Sequence, residues 1–318
     1  MARVLLTRPL PADWISPLVD AGHDPQLLSP APLSHAEIVD AAADFDAIIC
    51  TITDTVDEAV FRSGSGRLRV VGNIGVGYDN IDVAAAARFA VAVCNTPGVL
   101  DETTADLAFL LLLAASRRAS DAEATLRAGR WDGFRIDTFL GNDVHGATLG
   151  LVGFGRIGQA VARRAAGFGM QVLHHCRRDT GRPGYVANLD DLLARADAVS
   201  LHVPLTSETR GLIDARRLAL MPRNAVLVNT SRGPVVDELA LAVALEQGVI
   251  FGAGIDVYER EPAVHPRLLA APHTVLLPHI GSATEATRRR MAQLACEGAA
   301  AVLAGRTPPN LVRAGLDG

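Results

Sequence analysis

Gly153-Phe154-Gly155-Arg156-Ile157-Gly158 stands between an apolar run, Thr148–Val152, that reads as a strand and an alanine-rich run that reads as a helix to about Gly167. That context turns a common glycine pattern into a dinucleotide fingerprint. Gly153 permits a tight turn, Gly155 lets a pyrophosphate approach the backbone, and Gly158 lets helix and strand pack closely. The helix N-terminus then offers N–H groups and partial positive charge to the phosphates. The next strand ends His174-His175-Cys176-Arg177-Arg178, with no carboxylate before Asp179. NAD sites place Asp or Glu there for the ribose 2′-hydroxyl. A guanidinium instead suits a 2′-phosphate. The expected cofactor is therefore NADP(H), with NAD(H) possible, and the expected contacts include Cys176, Arg177 and Arg178. Three later segments collect further chemistry: Asn229-Thr230-Ser231-Arg232-Gly233, then Gly254 to Pro262 with Asp256, Glu259 and Glu261, then Pro278-His279-Ile280-Gly281 to Thr284. Each follows a strand, where open α/β sheets hold their ligands.

The elements that must position these residues alternate. Val4–Thr7, Ala47–Thr51 and Arg69–Asn73 read as short buried strands, and Asp13–Ala21 as a helix closed by Gly22. A second series starts near Ala147, with strands expected at Thr148–Val152, Gln171–His175, Ala198–Val203, Ala225–Asn229, Phe251–Val257 and Thr274–Leu277. Asp237–Gln247 reads as a helix closed by Gly248, Glu102–Ala128 as one long helical segment, and Thr284–Leu303 as another. The last could return the chain to the first unit or pack on its own. Such alternation implies parallel sheets covered on both faces.

The bulk composition is restrictive. Hydrophobic residues make up 49% and the formal net charge is −5, which argues against nucleic acid or an anionic membrane as partner. An anionic ligand must then be held by local Arg, His or helix N-termini. Cys50, Cys94, Cys176 and Cys296 lie far apart in no metal-binding spacing, so reduced thiols and no metal are expected. The start, MARVLLTRPLP, with Arg3, Arg8 and prolines inside its apolar stretch, is not expected to be a signal peptide. The longest apolar run, Leu107–Ala115, is too short for a bilayer. A cytoplasmic protein is expected.

Taken together, Asn73 to Asn80, Asn95-Thr-Pro-Gly98, Thr103 to Asp106, Asp143-Val-His-Gly146 and the three later segments make the chain resemble the D-isomer-specific 2-hydroxyacid dehydrogenase family over nearly its whole length. Within that family it is similar to glyoxylate/hydroxypyruvate and 2-ketogluconate reductases. The resemblance implies an α/β fold of two doubly wound parallel-sheet domains with a cleft between them. A flavodoxin-like substrate domain would comprise 1–98 plus 285–318, and a Rossmann cofactor domain 99–284. It implies an oxidoreductase reducing small 2-oxo acids to D-2-hydroxy acids. Arg232 would anchor the carboxylate and polarise the carbonyl. His279 would be the acid–base group. Glu261, preceding Pro262 as in the family pattern and preferred over Glu259 for that reason, would hydrogen-bond His279 and favour its protonated form. Val76 and Gly77 would offer backbone N–H groups to the substrate. Thr104, Pro204, Thr230, Asp256 and Gly281 would line the cofactor. Thr51–Asp54, Leu100 and the Trp131–Phe139 loop would shape selectivity, with Phe134 standing where many relatives carry a second tryptophan. A homodimer through the helix at Thr103–Arg117 is implied.

His145, His174, His175, His202, His265 and His273 are expected to be structural or solvated. Cys176 could tune cofactor binding on oxidation, although an inert thiol is the simpler expectation. Two other functions compete: a non-catalytic NAD(P)H-sensing, corepressor-like binding protein, and a phosphite dehydrogenase. Formate is disfavoured, because formate-oxidising relatives replace the acidic partner of the histidine with glutamine.

Overall fold

The computed structural model describes residues 1–179 and 181–312; the last part of the expected substrate domain, 313–318, lies outside the described residues. The chain forms two compact α/β units: Met1–Leu100 with the segment from Ser282 onward, and Asp101–Gly281. Each is built on a parallel sheet.

The first sheet contains β1 (Arg3–Leu6), β2 (Asp24–Leu27), β3 (Ala47–Thr51), β4 (Val70–Ile74) and β5 (Ala92–Cys94), in the order β2-β1-β3-β4-β5. That is the flavodoxin-like order. Side chains alternate across it as a two-residue period requires. In β3, Ala47 and Ile49 join one buried cluster and Ile48 and Cys50 the other. The helix Glu285–Leu303 covers the Ile49 side through Cys296, Ala299, Ala300 and Leu303. It lies so close that a Cβ on Gly72 of β4 would stand 3.0 Å from the Ala295 carbonyl oxygen. Two local expectations change. Asp13–Ala21 is a short 3-10 turn, Ala12–Trp14, followed by a helix at Ser16–Asp20, because Pro17 can occupy a helix start but not its interior. The strand β2 carries Asp24, Pro25 and Gln26, an edge composition without an apolar pattern.

The second sheet contains β6 (Thr148–Val152), β7 (Gln171–His175), β8 (Ala198–Leu201), β9 (Val226–Asn229), β10 (Gly252–Ile255) and β11 (Thr274–Leu276), in the order β11-β10-β9-β8-β6-β7. Beyond β7 a single parallel bridge joins His174 to Tyr185, with His174 N–H donating to Gly184 and Val186 N–H to His174. Counting this vestigial strand, the order is the 3-2-1-4-5-6 arrangement of dinucleotide-binding folds with one further strand. Alternation holds again: Val226 and Val228 face one core, Leu227 the other. The expected helical segment Glu102–Ala128 is two helices, Asp101–Ser116 and Ala119–Arg127. The first stops because the Ser116 carbonyl accepts from Asn142 N–H and Arg118 turns left-handed, φ 54°. No helix among the described residues is long and apolar enough to cross a membrane.

Candidate active site

The glycine turn follows β6 directly. Gly153 has φ +94°, and a Cβ there would meet the His202 carbonyl oxygen at 2.4 Å. A Cβ on Gly158 would stand 2.3 Å from the Gly153 carbonyl oxygen, so helix and turn touch backbone to backbone. Gly155 differs: nothing lies within 4 Å of its missing Cβ. Packing demands the outer glycines, and the middle one leaves room for a ligand. Gly155 is the N-cap of the helix Arg156–Gly167 and supplies no side-chain cap, so Arg156 and Ile157 open a helix whose first amides need an acceptor from elsewhere. Pro204, exposed, follows β8 across the switch in strand order. Thr230 follows β9, and its hydroxyl is buried without a hydrogen-bond partner among the described residues. A buried hydroxyl in that state calls for a ligand group. These residues fit a dinucleotide.

Past β7, Arg177 and Arg178 are exposed, and neither has an ion-pair partner among the described residues. The Cys176 thiol donates to the Arg178 carbonyl oxygen at 3.0 Å. Burial pushes its pKa up, which disfavours the thiolate.

Three adjacent strands, β9, β10 and β11, carry the remaining chemistry at their C-terminal ends. After β9 the chain wraps around Asn229, which donates from Nδ2 to the Arg232 carbonyl at 2.9 Å and accepts from Ser231 N–H and Oγ. Arg232 Nη1 donates to the Ser231 carbonyl at 2.9 Å. At Gly233 a Cβ would sit 1.9 Å from the Tyr258 carbonyl carbon, so the arginine loop lies hard against the loop after β10. That loop contributes Asp256, which is 1% exposed. Its two oxygens accept from Ile280 N–H at 2.7 Å and Gly281 N–H at 2.8 Å. Tyr258 donates its hydroxyl to the Leu277 carbonyl at 2.9 Å. The loop after β11 is thus held on both sides of His279, whose backbone has φ +53°. A non-glycine residue pays for that conformation and keeps it only when its surroundings enforce it.

The imidazole meets Glu261: Nδ1 lies 2.8 Å from Oε2, and Glu261 Oε1 accepts from Tyr258 N–H at 3.1 Å. Nδ1–H therefore points at the carboxylate and Nε2 is the nitrogen left for a reacting group. Burial raises the pKa of Glu261, but the His279 hydrogen bond, the His279 charge and the Arg232 charge together hold it below the usual carboxylate value. Burial pushes Asp256 up to about 6 against the pull of its two amide donors and of His279. Glu259 turns away and accepts from Glu238 N–H at 2.9 Å. Thr104, 5% exposed, and Asp256 both lie close to Gly281: a Cβ there would be 3.3 Å from Asp256 Oδ2 and 3.7 Å from Thr104 Oγ1. Sequence reasoning passed over Asn229 and Tyr258. Both look like ordinary strand-end residues until their partners are known.

In the other unit, Val76 and Gly77 follow β4. Thr96 N–H donates to the Gly75 carbonyl at 3.0 Å and Asn95 Nδ2 to the Val76 carbonyl at 2.8 Å. Across planar trans peptides, tying down those carbonyls turns the Val76 and Gly77 N–H groups the opposite way. Asn73 Nδ2 fixes the Gly77 carbonyl at 2.8 Å. Among the other histidines, His174 is buried and stacked on Phe154 at 3.9 Å, His202 bonds Ser200, and His273 bonds the Phe251 carbonyl. No group of His, Cys, Asp and Glu able to hold a metal occurs among the described residues.

Residues 109–281 match the family model described as D-isomer specific 2-hydroxyacid dehydrogenase, NAD binding domain. A glyoxylate reductase of Korarchaeum cryptofilum is 46% identical over 98% of this chain and 95% of its own length. The crystal structure of a protein from Thermus thermophilus superposes with a TM-score of 0.92 at 44% identity, covering 98% of this chain and 100% of that one. An NADPH-dependent glyoxylate/hydroxypyruvate reductase of Sinorhizobium meliloti, crystallised with NADP and malonate, superposes with a TM-score of 0.87 at 33% identity, covering 98% and 96%.

Proposed function

The chain belongs to the D-isomer-specific 2-hydroxyacid dehydrogenase family, and we propose that it reduces glyoxylate and hydroxypyruvate, and 2-ketogluconate less readily, to D-2-hydroxy acids with NADPH as preferred reductant. The observation that carries this reading is the His279–Glu261 pair, set beside Arg232 at the ends of adjacent strands in the unit that also bears the glycine turn.

Arg232 pairs with the carboxylate of the 2-oxo acid and polarises its carbonyl, and in the other unit the Val76 and Gly77 amides are donors suited to a substrate carboxylate. His279 donates the Nε2 proton to the carbonyl oxygen, and Glu261 steadies the imidazolium until that transfer. When bound, the reduced nicotinamide supplies the hydride to the carbonyl carbon. The product alcohol thus gains one hydride and one proton, and His279 recovers its proton from solvent. The glycine turn, Thr104, Pro204, Thr230 and Gly281 hold the dinucleotide. The unit formed by Met1–Leu100 and the segment from Ser282 onward is the substrate-binding domain.

Arg177 and Arg178, exposed and without an ion-pair partner among the described residues, support NADPH, and the Sinorhizobium meliloti relative is described as NADPH-dependent. Charge-assisted hydrogen bonds are worth about 1.5–3 kcal/mol, roughly ten- to a hundredfold in preference. Four free cysteines suit a reducing compartment. A homodimer through the helix at Thr103–Arg117 is supported by Leu110, an exposed apolar side chain within the apolar run of that helix. The test is the initial rate of absorbance loss at 340 nm with these 2-oxo acids and either cofactor. Turnover with kcat/KM about ten- to a hundredfold higher for NADPH is expected. No turnover of any 2-oxo acid overturns the function, and a clear NADH preference overturns the reading of Arg177.

A further inference from the structure

Glu238 is a buried carboxylate, 7% exposed, and it lies outside the acid–base pair. It occupies the first position of the helix Glu238–Glu246, just after the N-cap Asp237. Its side chain meets no cation among the described residues. Oε2 accepts from Glu259 N–H at 2.9 Å, and Oε1 accepts from His265 N–H. These two amides bracket one loop, Glu259-Arg260-Glu261-Pro262-Ala263-Val264-His265. Glu261 stands in it beside the tight turn that joins Arg260 to Ala263, whose N–H donates to the Arg260 carbonyl at 2.9 Å. The clasp is also reciprocal: Glu238 N–H donates to Glu259 Oε1 at 2.9 Å.

We propose that Glu238 is a positioning residue for the reaction, closing the 259–265 loop at both ends so that the Glu261 carboxylate is presented to His279 Nδ1. The inference rests on the function proposed above and deepens it. The chemistry selects a carboxylate here. Both oxygens accept from backbone N–H groups, so an amide keeps one bond and turns its own NH2 against the other donor. The helix N-terminus favours the negative charge that burial would otherwise penalise. Gly233 packs against the Tyr258–Glu259 peptide, so the clasp also closes the loop onto the backbone next to Arg232. Misplacing a reacting group by about 1 Å costs on the order of a hundredfold in rate, so a loop freed at one end has a visible effect.

The test is a double-mutant cycle on the full chain with NADPH and glyoxylate. Glu238→Gln is expected to lower kcat about tenfold with KM for either substrate within about threefold. Glu261→Gln lowers kcat by itself. Because Glu238 acts through Glu261, adding Glu238→Gln to Glu261→Gln is expected to lower kcat by less than about twofold further. A fully multiplicative effect in the double variant, or wild-type kcat in a folded Glu238→Gln, overturns the inference. Should Glu238→Gln fail to fold, Glu259→Ala removes the exposed half of the clasp and is expected to lower kcat about two- to fivefold at unchanged KM. Wild-type kcat in Glu259→Ala then overturns it. If Glu261→Gln itself turns over normally, the proposed acid–base pair fails instead, so the two failures are distinct.

Discussion

The loop after β4 and the loops after β9, β10 and β11 sit at equivalent places, past the C-terminal ends of parallel strands, yet they are equipped in opposite ways. The first presents backbone: its carbonyls are tied by Thr96 N–H and by the Asn73 and Asn95 side chains, and its amides are what remains to offer. The others present charge: a guanidinium, an imidazole and a carboxylate, each on a loop braced by partners elsewhere. Fixed amide dipoles can bind an anion but cannot give up a proton near neutral pH. Of the three side chains, the guanidinium can bind an anion and the imidazole can also give up a proton there. Under the proposed function the contrast is one between binding and chemistry.

The contrast is sharpest for the charged side chains. Arg232→Ala and His279→Gln are each expected to lower kcat/KM by about a hundredfold or more, the scale of a lost charge-stabilising or acid–base group. Steady-state kinetics with glyoxylate checks this, and a near-normal value in either variant removes that residue from the chemistry. Glu261→Gln is expected to cost about tenfold or more in kcat. Its effect on stability has a defined sign. The folded pKa of Glu261 is depressed, so its contribution is fully present above the unfolded value of about 4.3 and is lost as pH falls through the lower folded value. The difference in Tm between wild type and Glu261→Gln should therefore shrink as pH falls from about 5 to below about 4. A difference that grows on acidification contradicts the pairing. The smallest effect belongs to the backbone loop. Asn95→Ala releases the Val76 carbonyl, and the loss of one neutral hydrogen bond, about 0.5–1.5 kcal/mol, should raise KM for the 2-oxo acid about two- to tenfold with kcat little changed. A fall in kcat at constant KM would assign this loop to chemistry rather than binding.

Much of this was legible before folding. Apolar runs of strand length alternating with helical segments announced two parallel sheets, and six expected strands of the second series all occur, two with the expected bounds and four shorter by one to three residues. The glycine turn was legible because Gly153 and Gly158 answer a local packing demand and Gly155 leaves room for a ligand. Three features were not. Strands β2 and β5 are short, and β2 is polar, so pairing with a neighbour rather than pattern creates them. The third strand of the dinucleotide fold has shrunk to Tyr185, which no periodicity can reveal. The break at Arg118 depends on an acceptor partnership between Ser116 and Asn142.

The carboxylates show where local information ends. Spacing along the chain determined that Glu259 and Glu261 would follow β10, with Asp256 at its end, and that Arg232 and His279 would follow its neighbours, because the positions of residues after a strand are covalent facts. Their directions came only with tertiary structure. Asp256 turned to amides 24 and 25 residues on, Glu259 to a helix start 21 residues back, and Glu261 to an imidazole 18 residues on. A carboxylate takes whichever donors the packed backbone brings within about 3 Å, and those donors exist as a set only once the strands lie side by side.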